Sequence, residues 1–216
     1  MLWYIGLLIL VYLLGSINTS IIYSVHSYRK DIRNVGSGNA GTTNMLRSFG
    51  KTGAAVTFAV DFLKGVIAVY LVMLCFGVEY NLDFMKALSG FVCVIGHCFP
   101  VFFGFKGGKG IATCAGVVVM MDWRVFLIGI GLFILLTVLT RFVSLGSLTG
   151  SMAYPVGLAV FRLTGLGHTK WAAIIVAFAT ALLIWFLHRK NIVALLKGTE
   201  RKLGEKKEVT DRGDTQ

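Results

Sequence analysis

The sequence predicts an all-α integral membrane protein of seven transmembrane helices, some of them short, with the N-terminus outside and the C-terminus in the cytoplasm. Three observations carry this prediction. Of 216 residues, 56% are apolar and only 14% charged, against roughly 25% charged in a soluble domain. The mean hydropathy of +0.78 reflects apolar runs long enough to cross a bilayer repeatedly. The basic residues, finally, sort to one side of those runs. A soluble globular enzyme, a disordered chain and a collagen-like one are excluded by the first two observations.

Taken in order, the first 25 residues contain MLWYIGLLILVYLLG with no basic start and no small-residue cleavage site. They read as a helix retained in the mature protein rather than a signal peptide. Further apolar stretches run over 52–78, 84–103, 110–121, 123–140, 148–162 and 169–188. The breaks between them are GVEYNLD, the Gly/Lys cluster at 104–110, MDWR, RFVSLG and RLTGLGHTK. The interval 110–140 is short for two passes, because helix rises ~1.5 Å per residue and two full crossings need ~60 Å. A short helix starting at Gly110 then requires Gly104–Gly110 to be drawn into the protein and face a cavity, since irregular backbone cannot face lipid. Residues 1–196 form one membrane domain, and 197–216 read as a polar cytoplasmic tail that frays into solvent.

The formal charge of +11 admits nucleic acid, anionic headgroups or an anionic substrate as the partner. With two crossings in 110–140, Arg29, Lys30, Arg33, Arg47, Lys51, Lys106, Lys109, Arg141 and the eight basic residues of the C-terminal end share a face. These are sixteen of the 21 basic residues, and the positive-inside rule makes that face cytoplasmic. Lipid and an anionic substrate fit this distribution; nucleic acid does not. Cys75, Cys93, Cys98 and Cys114 lie in apolar runs without metal-ligand spacing and read as packing residues. Asp61 and Lys64 are three residues apart on one predicted span, where unpaired charges are costly, and read as a structural pair.

Four segments concentrate small, polar and basic residues at the same face: VGSGNAGTTNMLRSFG (35–50), GHCFPVFFGFKGGKGIAT (96–113), RFVSLGS (141–147) and HRKNIVALLKGTERK (188–202). Gly, Ser and Thr let backbone N–H groups and hydroxyls converge on an anion, and Arg and Lys add charge. Phosphate is the anion this pattern suits best. Taken singly, the strings mimic other motifs. Gly36, Gly38 and Gly41 satisfy GxGxxG but follow no strand, and GFKGGKG lacks P-loop spacing. His26 and Asp31 form an HxxxxD string like the His–Asp pair of the thioester-dependent glycerolipid acyltransferases, whose other sequence blocks are missing.

Together and in this order, GSGNAGTTNMLR, GHCFPVFFGFKGGKGIAT, RFVSLGS with a following YP, and HRKNI…LLKGTE resemble the bacterial acyl-phosphate:glycerol-3-phosphate acyltransferases, the PlsY family, over almost the whole chain. The resemblance implies a seven-helix enzyme of the bacterial cytoplasmic membrane. Such an enzyme moves a fatty acyl group from acyl phosphate to the sn-1 hydroxyl of glycerol 3-phosphate, giving lysophosphatidate and phosphate, at the first step of phospholipid synthesis. An acyl-phosphate-producing enzyme is then a natural partner. Thr42 stands where the family usually has Ala, and Ala194 where a basic residue is common.

The resemblance assigns catalysis to Lys109, Arg47, Ser37, His188 and Asn191. It assigns substrate or phosphate binding to Gly36, Gly38, Asn39, Thr43, Asn44, His97, Lys106, Gly107, Gly108, Ser144, Ser147 and Glu200. Each has a plainer alternative. Ser37 and Asn39 suit a helix cap or Asx turn, Ser144 and Ser147 a helix cap, and His97 a structural hydrogen bond at a helix end. Arg47 suits a headgroup contact, Lys106 and Lys109 an ordinary positive-inside role, and His188 an interfacial position.

Acyl phosphate is already activated, so alignment, charge stabilisation and removal of one hydroxyl proton suffice. No metal or cofactor is called for, and no Ser–His–Asp set is present to support an acyl-enzyme. Direct attack of the glycerol hydroxyl, with the proton passing to the departing phosphate or to His188, follows. The alternative from another class is a small transporter for an anionic, phosphate-bearing solute.

Overall fold

The computed structural model describes residues 2–77 and 81–205. These form nine α-helices and two single 3-10 turns, with no strand among the described residues. The expected turn at 77–83 lies partly outside them, as does the end of the tail with Lys206, Lys207 and Arg212.

Helix α1 (Leu2–Ser16) runs into α2 (Thr19–Tyr28) across a break at Ile17–Asn18, where the Asn18 Oδ1 accepts from the Ile21 N–H and caps α2. Helix α3 (Thr42–Phe76) is interrupted at Gly50, whose φ of 85° and ψ of −171° only glycine adopts freely. Its first turns, Thr42–Phe49, take in part of the segment expected to be a loop. Next come α4 (Leu82–Cys98), a 3-10 turn at Val101–Phe103, α5 (Ile111–Met121) and α6 (Trp123–Thr140). Asp122 caps α6 by accepting from the Arg124 and Val125 N–H groups. Helix α7 (Val143–Leu163) starts five residues earlier than its apolar run, so Ser144 and Ser147 lie in its first turns and not in a loop. Helices α8 (Trp171–Leu187) and α9 (Arg189–Leu196) meet at a 62° bend.

Five stretches are long and apolar enough to cross a bilayer: Trp3–Tyr28, Thr42–Phe76, Leu82–Phe103, Trp123–Thr140 and Val143–Leu163. The bent α8–α9 pair makes a sixth. Helix α5 has only 11 residues, about 16 Å of helix against a ~30 Å hydrocarbon core.

The bundle reverses the pattern of a soluble protein. Ile134, Leu135, Val138 and Leu139 on α6 and Ile175, Leu182 and Phe186 on α8 face outward, whereas Asn44, Thr57, Asp61, Lys64 and Ser89 are buried. Close helix approach is glycine-made. A side chain at Gly65 would meet the Thr113 carbonyl at 2.1 Å and one at Gly116 the Phe62 carbonyl at 2.0 Å, so α3 and α5 pack backbone to backbone. Gly15 and Gly96 do the same for α1 and α4.

Inside, Lys64 Nζ lies 2.8 Å from Asp61 Oδ1 and 2.9 Å from His97 Nδ1. It also donates to the Gly15 and Ile17 carbonyls left free by the α1–α2 break. The ammonium thus ties three elements together with its charge compensated. Cys93, Cys98 and Cys114 are buried as packing residues; Cys75 departs from that expectation and is exposed near the end of α3, where its neighbours Tyr70 and Leu74 also face outward.

Candidate active site

At one end of the bundle the α2–α3 loop, the α4–α5 loop, the α6–α7 junction and the α8–α9 junction surround a pocket of about 750 Å³. Each wall has a local cause. Asn44 donates its amide to the Ile32 and Val35 carbonyls, at 3.2 and 2.9 Å, and accepts from the Ser37 N–H at 3.0 Å. This clasp folds residues 32–37 back on α3. Gly36, with φ 64°, rests directly on it, since a Cβ there would lie 2.2 Å from Asn44 Oδ1. Ser37, Gly38, Asn39 and Thr43 are thereby delivered to the pocket, while Gly36 stays behind the wall and Asn44 has its polar groups committed to the loop.

The glycine-rich loop is pressed onto the end of α4. Gly107 and Gly108 donate their N–H groups to the Cys98 and His97 carbonyls, at 3.1 and 3.2 Å. A Cβ on Gly108 would fall 2.2 Å from His97 Nε2 and 2.4 Å from the Ala40 carbonyl. Only residues without side chains fit, and the result is that Lys109 faces the pocket. Gly107, Gly108 and Lys106 are not part of its lining. The Lys106 carbonyl instead accepts from Arg33, which also donates to Phe103 and forks onto Asp31. Arg33 thus ties the two loops together, and its guanidinium holds the Asp31 carboxyl below the usual carboxylate range. With Asp31 so engaged and both His26 and Asp31 away from the pocket, the HxxxxD string is structural here. His97, 3% exposed, contributes its edge to the pocket floor and braces Gly108.

Lys109 Nζ donates to Asn191 Oδ1, and the Asn191 amide donates to Glu200 Oε1 at 2.8 Å. Burial, ahead of the opposing pull of Glu200, lowers the Lys109 pKa from the usual lysine range. His188, just past the end of α8, places Nδ1 2.8 Å from the Ile184 carbonyl, which assigns the proton to Nδ1 and leaves Nε2 as an acceptor. Arg47 donates to the Arg201 carbonyl at 3.2 Å.

Three further features were not foreseen. The pocket receives the N-termini of α3 (Gly41, Thr42, Thr43), α5 (Gly110, Ile111, Ala112), α7 (Val143, Ser144) and α9 (His188, Lys190, Asn191), and none of the four has a side-chain cap. The positive ends of the α3, α5 and α7 dipoles therefore converge on one space, while that of α9 is offset by the C-terminus of α8 at the shared His188. Thr137 joins Ser144 at the wall, each with a buried hydroxyl lacking a partner among the described residues. Finally, Thr199, Arg201 and Leu203 line the pocket beside the expected Glu200, so the start of the expected frayed tail is packed against the site.

An apolar groove of about 90 Å³ between α3, α5, α6 and α7 adjoins the pocket and shares Phe58, Ile111, Ala112, Phe133 and Ser147 with it. Its remaining lining includes Ala115, Val118, Phe126 and Ile130. The site thus joins a chamber lined by polar and basic groups to a small apolar groove.

Residues 5–198 match the family model for glycerol-3-phosphate acyltransferase. The glycerol-3-phosphate acyltransferase of Thermoanaerobacter sp. (strain X514) is 44% identical over 201 residues, covering 93% of this chain and 96% of that one. That of Clostridioides difficile (strain 630) is 40% identical over 206 residues, covering 95% and 98%. Among solved structures, PlsY (YgiH), an integral membrane glycerol 3-phosphate acyltransferase, matches in its glycerol 3-phosphate form with a TM-score of 0.84 at 36% identity, covering 93% of this chain and 96% of that one. Its lysophosphatidic acid form matches at 0.81 and 34%, covering 93% and 95%.

Proposed function

This chain belongs to the glycerol-3-phosphate acyltransferase family, and from that premise we propose that it transfers a fatty acyl group from acyl phosphate to the sn-1 hydroxyl of glycerol 3-phosphate in the pocket described above. It is a multi-pass membrane acyltransferase of phospholipid synthesis; the donor, the residue roles and the topology are the reading developed here. The observation that carries it is the convergence of the α3, α5 and α7 N-termini with Arg47 and Lys109 on a chamber that adjoins an apolar groove. Two phosphate-bearing substrates, one with a long acyl chain, need that combination.

In this reading the acyl chain lies along Phe58, Ala115, Val118 and Phe133. Lys109, the α5 N-terminus and Ser144 with Ser147 hold the phosphate that will depart; Arg47, Ser37, Asn39 and Thr43 hold glycerol 3-phosphate, and His188 with Asn191 positions its glycerol. Asn44, Gly36, Gly107, Gly108 and His97 shape the walls, Glu200 orients Asn191, and Lys106 acts through its backbone. The glycerol oxygen attacks the acyl carbon, an ester bond forms, and the bond from that carbon to the bridging phosphate oxygen breaks. The hydroxyl proton goes to the departing phosphate, whose oxygens gain basicity as the bond to carbon breaks. Charge on the leaving phosphate is met by fixed cations and backbone dipoles, which need no reorganisation during reaction.

The same reading sets seven crossings. Helix α5 completes the seventh together with the buried glycine loop, the N-terminus is outside, and the pocket and C-terminal end face the cytoplasm of a bacterial cell membrane. Residues 1–196 make the membrane domain and 197–216 the tail. An enzyme that produces acyl phosphate supplies the donor. Cysteines at 144 and 200 react from the same side of the membrane under this topology; reaction from opposite sides overturns it. Neither the relatives nor the gathering of polar groups at one end of the bundle supports the solute-transporter alternative.

Purified protein given palmitoyl phosphate and glycerol 3-phosphate is expected to yield lysophosphatidate and phosphate, and none with palmitoyl-CoA as donor. Activity with the thioester alone refutes the donor assignment.

A further inference from the structure

Arg141 does not line the pocket, and no role for it follows from the reaction. Its contacts are nonetheless specific. It ends α6 in the left-handed conformation, φ 63°, with its N–H on the Thr137 carbonyl at 2.9 Å. Its own carbonyl accepts from the Leu203 N–H at 2.7 Å, and its Nη2 donates to the Leu203 carbonyl at 2.9 Å. One residue is thus held at both its backbone groups. Beside it the Lys202 ammonium sits 5.8 Å from the Phe142 ring centroid. The chain then turns at Gly204, φ 82°, where the Lys202 N–H meets Glu205 Oε2 at 2.9 Å.

Upstream of this clamp, the segment from Thr199 to Leu203 passes along the pocket as a strap. Two of its groups meet groups of the site: Glu200 takes the Asn191 amide, which in turn holds Lys109, and the Arg201 carbonyl takes Arg47. The strap leaves α9 at one end and is fastened to the α6–α7 junction at the other. Without the second attachment, the pairing of Glu200 with Asn191 depends on a chain tethered at one end only, at the entropic cost of ordering several residues.

Resting on the reading of this pocket as the acyl-transfer site, the geometry points to Arg141 as a positioning residue: by fastening Leu203 it stretches the strap across the pocket, so that Glu200 sets Asn191 and Lys109 and the Arg201 carbonyl sets Arg47 before substrate arrives. A carbonyl is a neutral partner for a guanidinium and yields to a phosphate, whose charged hydrogen bonds are stronger. The strap therefore aligns Arg47 without competing strongly for it.

The test compares Arg141→Ala, Arg141→Lys, a chain ended after Lys202, which removes Leu203 and leaves the Arg201 carbonyl a neutral amide, and that shortened chain carrying Arg141→Ala. Each is purified, checked for monodispersity and thermal unfolding, and assayed with palmitoyl phosphate and glycerol 3-phosphate. Arg141→Ala should lower kcat/KM for glycerol 3-phosphate about tenfold, the scale of one lost hydrogen bond at the upper end of its range, with Arg141→Lys within about threefold of wild type because it keeps a donor. The shortened chain should match Arg141→Ala, and combining the two should add nothing. Hydrogen exchange over 199–205 should quicken in Arg141→Ala.

Wild-type kinetics for Arg141→Ala, full activity in the shortened chain, or a second loss on combining them overturns the assignment. Absence of acyl transfer by the unaltered protein refutes the function instead, and unchanged exchange over the strap then refutes the clamp separately.

Discussion

Lys109→Met removes one ammonium while keeping an unbranched apolar stem of similar reach, so it isolates the charge. Lys109 Nζ is held by Asn191 Oδ1, itself backed by Glu200, and the flanking glycine loop is fixed against His97 and Ala40. The loop therefore has little freedom to bring another donor into the gap. A hydrogen bond from a charged donor contributes about 1.5–3 kcal/mol, and the acceptor left on Asn191 costs about 1 kcal/mol more. A loss of about 2.5–4 kcal/mol corresponds to about 10²–10³ in kcat/KM. Because the charge on the phosphate grows as it leaves, kcat should carry most of the loss. The assay follows phosphate release and labelled lysophosphatidate, with monodisperse elution and unchanged thermal unfolding as the control for folding. Lys109→Arg is expected to fail as well, since a wide planar fork cannot enter between Gly108 and Gly110 as a point charge does. Activity of Lys109→Met within about threefold of wild type refutes the placement of this ammonium on the reacting phosphate.

Burial lowers the Lys109 pKa, so its charge is lost as pH rises through a value below that of ordinary lysine; kcat/KM should fall over that range, and a profile flat to about pH 10 argues against the assignment. Gly108→Ala places a methyl against the His97 ring and the Ala40 carbonyl, and should abolish transfer by displacing Lys109; turnover near normal shows the loop to be freer than its contacts imply. Gly116→Ala drives a methyl into the Phe62 carbonyl and should destabilise the bundle by about 1–3 kcal/mol, read as a lower thermal midpoint in detergent. Lys64→Met strips the Gly15 and Ile17 carbonyls and Asp61 of their shared donor and should cost about 3–5 kcal/mol, with Asp61→Asn in the same chain recovering part of the loss.

The parts of the structure visible in the sequence are those with a local cause. Helix α6 ran from 123 to 140 as its apolar run did, because Asp122 caps one end and Arg141 closes the other. Lys109 emerged from its glycines, which tolerate no side chain where they lie. The start of α3 was hidden because Thr42–Phe49 carries no apolar run and Gly41 offers no side-chain cap. The same holds for α7, whose first turn contains Ser144. Thr137 gave no signal, being one of two threonines in a helix otherwise apolar beyond Arg124; its position one turn before Arg141 is its only pointer. The strap was least legible of all. Only Glu200 was marked, by the family resemblance; Leu203 pairs with Arg141 across 62 residues, and composition alone does not distinguish a docked GTERKLGEK from a solvated one. The converging helix N-termini were out of reach for a related reason: a dipole has a direction, and the sequence carries no sign of where it will point.

Helix α5 is held by α3 through contacts between backbones, at Gly65 and Gly116, and at 11 residues it is not matched to the lipid at all. A full-length span adjusts its tilt when the hydrocarbon layer thickens or thins; α5, apolar but too short to span the layer by itself, takes its depth from its protein neighbour. The base of the glycine loop is therefore in register with the bundle rather than with the bilayer. For a catalyst whose own product becomes membrane, this decouples the reaction geometry from the thickness of the layer being built, so that changes in acyl composition made downstream do not return to detune the enzyme that began them.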